Sequence, residues 1–367
     1  MQFAQIQTIP EVVNVLKVLV TGLLAFILAF AITPLWTHLL YKYKIGIKIK
    51  STDVNGEQLN FISKLHAGKA GTPTMGGVII WLSIIILVFA SHFVFPLIAK
   101  MFDIDFIARL DFLSRKQVWL PLFALAAAGI LGLFDDVMSV RGWGSNKGGG
   151  MRFAMRFGWL IAIAAAGGWW FYYKLGWDVL HIPAIGDFSI GLWYIPLFIF
   201  IILFSAVSSN ETDGLDGLNG GVLLMAFFSF AIIAFFENKV DLASFCAAAA
   251  GAMLAFLWFN IYPARFFMGD TGAVSLGATL GVVAMLTNSA VVLLIIVFVY
   301  VLESTSVAIQ LTSKKFFHRK VFLAAPLHHH FEAKGWPETK VTMRAWIFTM
   351  ITALVGVVIA IFGMGRY

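Results

Sequence analysis

Residues Val15–Trp36 read VLKVLVTGLLAFILAFAITPLW, an apolar run whose single charged residue is Lys17. A helix needs about 17–25 predominantly apolar residues to cross the hydrocarbon core of a bilayer, and this run has that length. In lipid every backbone N–H and C=O group must be satisfied within the protein, which an α-helix achieves inside one segment. The stretch therefore predicts a transmembrane helix.

Nine further apolar runs follow, so the sequence predicts an all-α polytopic membrane protein with about ten transmembrane helices. The composition agrees, because 60% of the 367 residues are hydrophobic and only 12% are charged, whereas about a quarter are charged in soluble domains. The connecting loops are short, and we expect one integral membrane catalytic domain over residues 1–367. The predicted spans are Val15–Trp36, Gly76–Ala99, Trp119–Phe134, Phe157–Tyr173, Leu192–Val207, Gly220–Phe236, Leu242–Phe259, Gly272–Leu286, Ala290–Leu311 and Ala345–Gly363.

The basic residues are concentrated in alternate loops. Of the 26 lysines and arginines, 18 lie in the loops after the first, third, seventh and ninth predicted spans. Loops rich in Lys and Arg remain on the cytoplasmic side of a bilayer. We therefore expect these loops to be cytoplasmic and both chain termini to face outward. The net charge of +7 reflects this orientation, and we expect no nucleic acid as a partner because no nucleic-acid-binding motif is present.

The polar clusters obey the same alternation, since each follows an odd-numbered span. They therefore share one face of the membrane, and we predict an active site on the cytoplasmic face. The clusters are Asp135-Asp136 after span three, Asn210–Gly217 after span five, Asn260–Gly272 after span seven and His328–His330 after span nine.

Asp135 and Asp136 are adjacent at the end of the third span. Two neighbouring carboxylates repel each other, and holding both close to lipid is costly without a cation or a basic partner. Mg²⁺ would offset that cost, because it is bound by one or two carboxylates together with substrate phosphate oxygens. The alternative interpretation is a solvated helix end without catalytic function.

Two glycine-rich segments are candidates for ligand binding. The run Asp213–Gly221 (DGLDGLNGG) holds four glycines, which let backbone amides approach a ligand closely. Asp213 and Asp216 share a face if the run is helical, although it could be only a turn. The segment His66–Gly77, with Lys69, glycines and threonines before a helix, predicts a phosphate cradle.

Aromatic and histidine clusters complete the candidate site. In Phe266–Gly272 (FFMGDTG) an aspartate lies beside aromatic rings, which suits a nucleobase because every base has a face that stacks. The alternative for Phe266 is a ring in the aromatic belt at the membrane interface. The consecutive residues His328–His330 cannot all face one ion from a regular element, so contacts to a phosphate or sugar are favoured over a zinc site.

Together these motifs resemble the phospho-N-acetylmuramoyl-pentapeptide transferase (translocase I) family, within the polyprenyl-phosphate N-acetylhexosamine-1-phosphate transferase superfamily. The resemblance runs from about residue 20 to the C-terminus, and the order of the motifs and the ten-span topology agree. The motifs are Gly71–Gly77 (GTPTMGG), Phe134–Asp136 (FDD), Asn210–Gly217 (NETDGLDG), Phe267–Asp270 (FMGD) and Pro326–Glu332 (PLHHHFE).

The resemblance implies a reaction in the bacterial cytoplasmic (inner) membrane. Phospho-N-acetylmuramoyl-pentapeptide would move from UDP-N-acetylmuramoyl-pentapeptide to undecaprenyl phosphate, with Mg²⁺ as cofactor and lipid I and UMP as products. A homodimer would be consistent with the family.

The same resemblance assigns roles by position. Asp270 matches the metal-binding aspartate, Asp135 and Asp136 match the pair that activates the lipid phosphate, and Phe267 matches the ring that stacks on uracil. His329 is the histidine that we expect to act catalytically, on charge developing in the transition state. The other substrate-binding candidates are Lys69, Thr72, Asn210, Asp213, Asp216, Asn260, Gln310, His328 and His330.

The chain departs from the family pattern at the diphosphate site. Ser139 stands where the family often has a lysine, and Glu211 where it commonly has a leucine. Lys147 or Arg152 could supply the missing positive charge. Two other functions are the alternatives: a sister enzyme that transfers N-acetylhexosamine-1-phosphate to a polyprenyl phosphate, and a transporter. The histidine loop favours the muramoyl-pentapeptide substrate, and charges at span ends without a sequence repeat weigh against a transporter.

Overall fold

The computed structural model describes residues 10–43, 45–46, 69, 71–114, 117–144 and 149–363. Helices dominate this part of the chain. They are α1 (Pro10–Lys42), α2 (Gly77–Phe89), α3 (Phe95–Phe102), α4 (Asp105–Ala108), α5 (Trp119–Arg141), α6 (Phe153–Trp169), α7 (Tyr194–Thr212), α8 (Leu218–Phe236), α9 (Val240–Asn260), α10 (Asp270–Leu286), α11 (Ala290–Ile296), α12 (Phe298–Phe317), α13 (Leu327–Ala333) and α14 (Glu338–Gly363).

Each of the ten predicted spans falls on a helix. Within the described ranges, seven helical stretches are long and apolar enough to cross a membrane, and an eighth is formed if α11 and α12 are one span bent by 84°. The π-helical turn Ala90–Val94 joins α2 to α3 within one such stretch. The remaining two, α6 and α10, have 17 residues each. The chain is thus a helical polytopic membrane protein, as predicted.

A small β-hairpin lies in the loop between α6 and α7, at the end of the bundle opposite the polar motifs. Strand β1 (Val179–Ile182) pairs antiparallel with β2 (Gly186–Ser189), and His181 lies opposite Asp187 in the register. From Pro183 and two glycines, the sequence predicts an outer loop or a small hairpin over Trp177–Gly191, and the structure shows the hairpin.

Helix α10 lies at the centre of the bundle, and its first residue is Asp270, the aspartate of the FMGD motif. All its residues from Thr271 to Leu286 are buried, and it packs against α5 and α7. Small side chains allow this close packing, as is common between helices in membranes. A Cβ at Gly277 would lie 2.5 Å from the carbonyl oxygen of Ser205 on α7, so only glycine fits at that crossing. The core therefore holds the N-terminus of α10 firmly in place.

Candidate active site

The N-terminus of α10 is capped by a carboxylate from α5. Asp136 is buried, and its two oxygens accept the backbone N–H groups of Asp270 at 3.2 Å and Thr271 at 3.0 Å. The first N–H groups of a helix have no partner within the helix, and negative charge is favoured there. The side chain of Asp136 therefore fixes the backbone of Asp270 and Thr271 in position. This finding separates the two adjacent aspartates, which the sequence treats as one pair.

Asp135 belongs to a network with a basic residue of α6. The guanidinium of Arg156 donates to Asp135 at 3.2 Å and also bonds to Asp270. Asn210, at the end of α7, donates its amide to Asp270 at 2.6 Å. Asp135 additionally accepts the N–H of Met151 at 2.5 Å. The structure thus brings Asp135, Asp270 and Asn210 together, as the resemblance implies.

Arg156 is the residue of this network that sequence reasoning did not nominate. In the sequence it is one of several basic residues in the loop after the third span, whereas the structure places it among the carboxylates. Lys147, one of the two residues suggested as the missing positive charge, lies outside the described residues. The other, Arg152, has an exposed side chain. Arg156 supplies positive charge at the carboxylate end of the site, near where the sequence has Ser139 in place of a lysine.

The donor set fits a hard divalent cation. Asp135, Asp270 and Asn210 offer only oxygen ligands, which Mg²⁺ prefers, and the acidic groups outnumber the single guanidinium. Among the described residues no three acidic, histidine or cysteine side chains are arranged to hold an ion by themselves. Mg²⁺ rarely has such a cage, because substrate phosphates usually complete its coordination. The residues therefore fit a magnesium ion that binds together with a phosphate.

A second cluster gathers around Asp216. This buried carboxylate bonds Lys69 at 2.6 Å and accepts the N–H of Ala264 at 2.9 Å. Lys69 also bonds Glu338 at 2.5 Å, and its ammonium lies 5.6 Å from the centre of the Phe267 ring. Four segments distant in sequence meet here, and the half-buried Phe267 ring lies at their junction.

Asn260 holds two of these segments together. Its amide oxygen accepts the N–H of Gly217 at 3.1 Å, and its amide nitrogen donates to the carbonyl of Phe266 at 2.9 Å. The residue is buried. Asn260 therefore positions the loops around Phe267, and its direct contact with substrate stays a prediction.

Asp213 lies between the two clusters. Burial raises the pKa of this carboxyl to about 7, and the negative charge of Asp270 acts in the same direction. A hydrogen bond from the backbone N–H of Gly269 and the positive charge of Lys69 lower the pKa and only partly offset these effects. The carboxyl therefore titrates near neutral pH.

The three histidines have separate partners. Nδ1 of the buried His328 lies 3.2 Å from Glu303, and Nδ1 of His329 lies 2.7 Å from Glu332. His330 accepts the N–H of Leu323 at 3.1 Å. This divergence agrees with the expectation against a shared zinc ion. His328 packs against the Asp213 loop, where a Cβ at Gly214 would clash with its imidazole.

His328 is oriented by Glu303, a buried carboxylate within α12. One carboxylate oxygen of Glu303 faces both the backbone N–H and Nδ1 of His328, each at 3.2 Å. Nε2 of His328 is buried and has no hydrogen-bond partner. Glu303 therefore fixes the imidazole from one side and leaves Nε2 directed toward the loop. Partial burial and the positive charge of Lys334 lower the pKa of His330.

Gln310 has a structural task. Its side-chain oxygen accepts the N–H groups of Val321 at 3.1 Å and Phe322 at 3.0 Å, and its nitrogen donates to the carbonyl of Phe322 at 3.1 Å. The side chain thus clamps the loop between α12 and α13. Its predicted role in substrate binding has no support from these contacts and stays a prediction.

Several described glycines of the two glycine-rich segments pack closely against other parts of the protein. The N–H groups of Gly76 and Gly77, expected to cradle phosphate, donate to the carbonyls of Phe267 at 2.8 Å and Met268 at 2.9 Å. Thr72 is half-buried and its N–H donates to the carbonyl of Lys69 at 3.1 Å. In the second segment, a Cβ at Gly221 would clash with the Trp346 ring. Close approach of protein to protein explains Gly76, Gly77 and Gly221. The phosphate cradle over the rest of His66–Gly77 stays a prediction.

A cavity of about 210 Å³ opens beside the carboxylate network. One end presents Arg156, Asn210 and Glu211, and the remaining walls are apolar. The apolar lining consists of Phe153, Phe157, Leu160, Ala206, Val207 and Val274. The cavity therefore suits an amphiphile whose anionic head contacts Arg156 and whose hydrocarbon chain lies between α6 and α7.

Comparison with known proteins agrees with this geometry. Residues 118–288 match the model of glycosyl transferase family 4, and residues 69–80 match signature 1 of the phospho-N-acetylmuramoyl-pentapeptide-transferases. The chain is 36% identical over 363 residues to the phospho-N-acetylmuramoyl-pentapeptide-transferase of Chloroflexus aggregans, covering 95% of this chain and 90% of that protein.

Two further relatives carry the same name. The protein of Clostridium kluyveri is 36% identical over 349 residues, covering 93% of this chain and 98% of its own length. The protein of Bartonella quintana is 37% identical over 310 residues, covering 79% and 80%. With relatives at 36% identity over 95% and 93% of its length, the chain belongs to the phospho-N-acetylmuramoyl-pentapeptide-transferase family.

Proposed function

We propose that this protein transfers phospho-N-acetylmuramoyl-pentapeptide from its UDP carrier to undecaprenyl phosphate in the bacterial cytoplasmic membrane, giving lipid I and UMP. The observation that carries the proposal is the placement of the Asp135–Arg156–Asp270 network at the mouth of a cavity with apolar walls. A water-soluble phosphate donor and a membrane-embedded acceptor can meet only at such a boundary. The whole chain would act as one catalytic unit, and a homodimer stays a prediction.

The cavity is the proposed acceptor site. The phosphate of undecaprenyl phosphate would contact the guanidinium of Arg156, and its first isoprene units would lie against Phe157 and Leu160. Arginine is well suited to this task, because its planar fork of N–H donors matches phosphate geometry. Glu211 lines the same cavity and bonds Ser304 at 2.6 Å, which directs its carboxylate away toward α12.

The proposed donor site is the cluster around Asp216. Phe267 would stack on uracil, and Lys69 lies beside the ring, where it can contact the base or its ribose. His328, packed against the Asp213 loop, would contact the phosphate or sugar end of the donor. Both sites then meet at Asp270, which is the first residue of α10.

The reaction is phosphoryl transfer between two anions, so charge repulsion is the main obstacle. An oxygen of the lipid phosphate attacks the sugar-linked phosphorus, and the bond from that phosphorus to UMP breaks. Asp135 accepts the proton of the lipid phosphate, and Arg156 holds that phosphate in line. Asp270 and Asn210 would hold Mg²⁺, which supplies positive charge to the diphosphate when bound.

A transfer assay tests the proposal and separates the alternatives. The purified protein is incubated in lipid vesicles with undecaprenyl phosphate, Mg²⁺ and either radiolabelled UDP-N-acetylmuramoyl-pentapeptide or radiolabelled UDP-N-acetylglucosamine. We expect a lipid-linked product from the pentapeptide donor alone, with UMP released in equal amount. A product from UDP-N-acetylglucosamine alone would show the sister activity. Absence of any lipid-linked product with either donor would refute the proposal.

A further inference from the structure

Three residues on one face of α14 hydrogen-bond consecutive positions of the Asp213–Gly217 loop. Glu338 accepts the N–H of Asp216 at 2.6 Å, and Thr342 donates to the carbonyl of Asp216 at 3.3 Å. Trp346 donates its indole N–H to the carbonyl of Gly217 at 3.0 Å. Residues four apart lie above one another on a helix, so the three side chains form a ladder along α14.

The first member of the ladder has a second partner. The carboxylate of Glu338 bonds Lys69 at 2.5 Å, and Lys69 in turn bonds Asp216 at 2.6 Å. All three side chains are largely shielded from solvent, with exposed fractions of 11%, 19% and 3% for Glu338, Lys69 and Asp216. Hydrogen bonds between charged groups are strong under these conditions. Two carboxylates thus hold one ammonium, and that ammonium lies 5.6 Å from the centre of the Phe267 ring.

We propose that Glu338, Thr342 and Trp346 are positioning residues for the nucleotide, acting through Lys69 and the Asp216 loop. The inference rests on the proposed function, in which Phe267 and Lys69 receive the uridine. Glu338 holds Lys69 against the Phe267 ring, while Thr342 and Trp346 hold the backbone that carries Asp216. Helix α14 thereby sets the shape of a site to which it contributes no direct substrate contact.

The glycines of the loop support this assignment independently. The indole of Trp346 packs closely against residues 217–221. A Cβ at Gly221 would clash with the ring, and a Cβ at Gly217 would lie 3.4 Å from it. Gly217 also has φ of +74°, a conformation that other residues rarely adopt. The loop is therefore shaped to fit against α14. A helix that served only to cross the membrane would not require such a fit.

UMP binding to the purified full-length protein tests the inference by isothermal titration calorimetry. Glu338→Gln keeps an acceptor for the N–H of Asp216 but removes the charge that holds Lys69, so we expect UMP affinity to fall about 10-fold. Thr342→Val and Trp346→Phe each remove one hydrogen bond to the loop, with an expected loss of about 3-fold. Met343→Ala is the matched control on the lipid-facing side of α14, where the side chain is 62% exposed, and should bind UMP normally.

A double-mutant cycle distinguishes positioning from general support of the fold. If Glu338 acts through Lys69, Glu338→Gln should weaken UMP binding in the natural background and have little further effect in Lys69→Ala. In steady-state assays the KM for the nucleotide donor should rise, while the KM for undecaprenyl phosphate stays unchanged. Additive losses in the cycle, or equal losses for both substrates, would reduce Glu338 to a structural residue.

Failure of the inference and failure of the proposed function give different results. If UMP does not bind to the unsubstituted protein, the uridine site itself is refuted, and the inference with it. If UMP binds normally and all three α14 substitutions leave its affinity unchanged in folded protein, only the inference is overturned. Thermal unfolding of each variant identifies any that fail to fold, and the conservative Glu338→Gln and Trp346→Phe variants guard against that outcome.

Discussion

The carboxylate of Asp136 accepts the backbone N–H of Asp270 at 3.2 Å, so one acidic residue of the site fixes the position of another. The partners come from helices α5 and α10, which cross where a Cβ at Gly132 would clash with the backbone of Asp270. Catalytic geometry and helix packing are therefore coupled at this crossing. A substitution of Asp136 should therefore affect both the catalytic geometry and the packing of the two helices.

Asp136→Asn should lower stability as well as activity. An amide at this position offers one acceptor for two N–H groups and turns a donor toward the other, and hydrogen bonds to charged groups are worth about 1.5–3 kcal/mol. We expect a clearly reduced unfolding temperature in detergent, together with impaired transfer. Asp187→Asn, whose side chain is 68% exposed on the hairpin, is the control. An unchanged unfolding temperature for Asp136→Asn would contradict the capping role.

Asp270→Asn should abolish most of the activity without comparable loss of stability. The substitution keeps the size of the side chain but removes the charge that bonds Arg156 and would bind Mg²⁺. We expect turnover to fall by at least about 10²-fold, because a catalytic metal supplies several kcal/mol. Turnover is measured across a Mg²⁺ titration. The control is Asp241→Asn, because Asp241 lies in the first turn of α9, at the end of that helix away from Asn260 and the candidate site. Near-normal turnover at ordinary Mg²⁺ concentration would exclude Asp270 as a ligand.

The carboxyl of Asp213 should make stability depend on pH. Because burial raises its pKa from 3.8 to about 7, the folded protein binds this proton more tightly than the unfolded chain. The resulting stabilisation is complete below about pH 4 and is lost as the pH rises toward 7. Asp213→Asn removes this titration, so the variant should gain stability relative to the natural protein between pH 4 and 8. Parallel pH profiles of unfolding temperature for the two proteins would contradict this expectation.

Phe267→Ala should weaken the nucleotide substrate selectively. Stacking of a base on an aromatic ring is worth about 1–3 kcal/mol, which corresponds to roughly 5- to 150-fold in affinity. The neighbouring Phe266 is fully buried in the core, so Phe266→Ala should instead cost about 3–5 kcal/mol of stability. UMP titration and thermal unfolding of both variants separate the two effects. Unchanged UMP affinity in folded Phe267→Ala protein would remove the uridine assignment.

The orientation of the bundle should follow the distribution of basic residues. The natural Cys246 is buried, which shields it from thiol reagents, so single cysteines can be introduced with little background. Val321→Cys, in the loop after α12, should react only from the cytoplasmic side, and Ile185→Cys, on the hairpin, only from outside. The two natural side chains are 53% and 70% exposed. Labelling of both positions by an impermeant reagent in intact cells would overturn the orientation.

The sequence predicts the membrane helices well because lipid imposes a length and a composition on each of them. It also predicts which motifs share one end of the bundle, since alternate loops must lie on the same side. The 84° bend after Ile296 and the burial of α10 on every side lie beyond such reasoning. These depend on how neighbouring helices shield a segment, which no local pattern contains.

The partners of the motif residues are the part that sequence reasoning missed. Glu338 contacts Asp216 across 122 positions of sequence, and Arg156 contacts Asp270 across 114. Neither residue lies in a distinctive motif, so only the folded chain pairs them. The neighbours of glycines such as Gly77 and Gly221 lie beyond sequence reasoning for a related reason. A pattern shows that backbone comes close to something at Gly77 or Gly221, but it does not show whether that neighbour is a phosphate or another helix.

The burial of α10 has a consequence for biogenesis. Because its residues from Thr271 to Leu286 are all buried by neighbouring protein, this helix presents no side chain to lipid. It must therefore enter the membrane alongside helices that are already present. The order of synthesis provides for this, since α5 and α7 leave the ribosome first and form the walls between which α10 is received. Catalytic competence is thus reached only after the last third of the chain has been assembled against the first two.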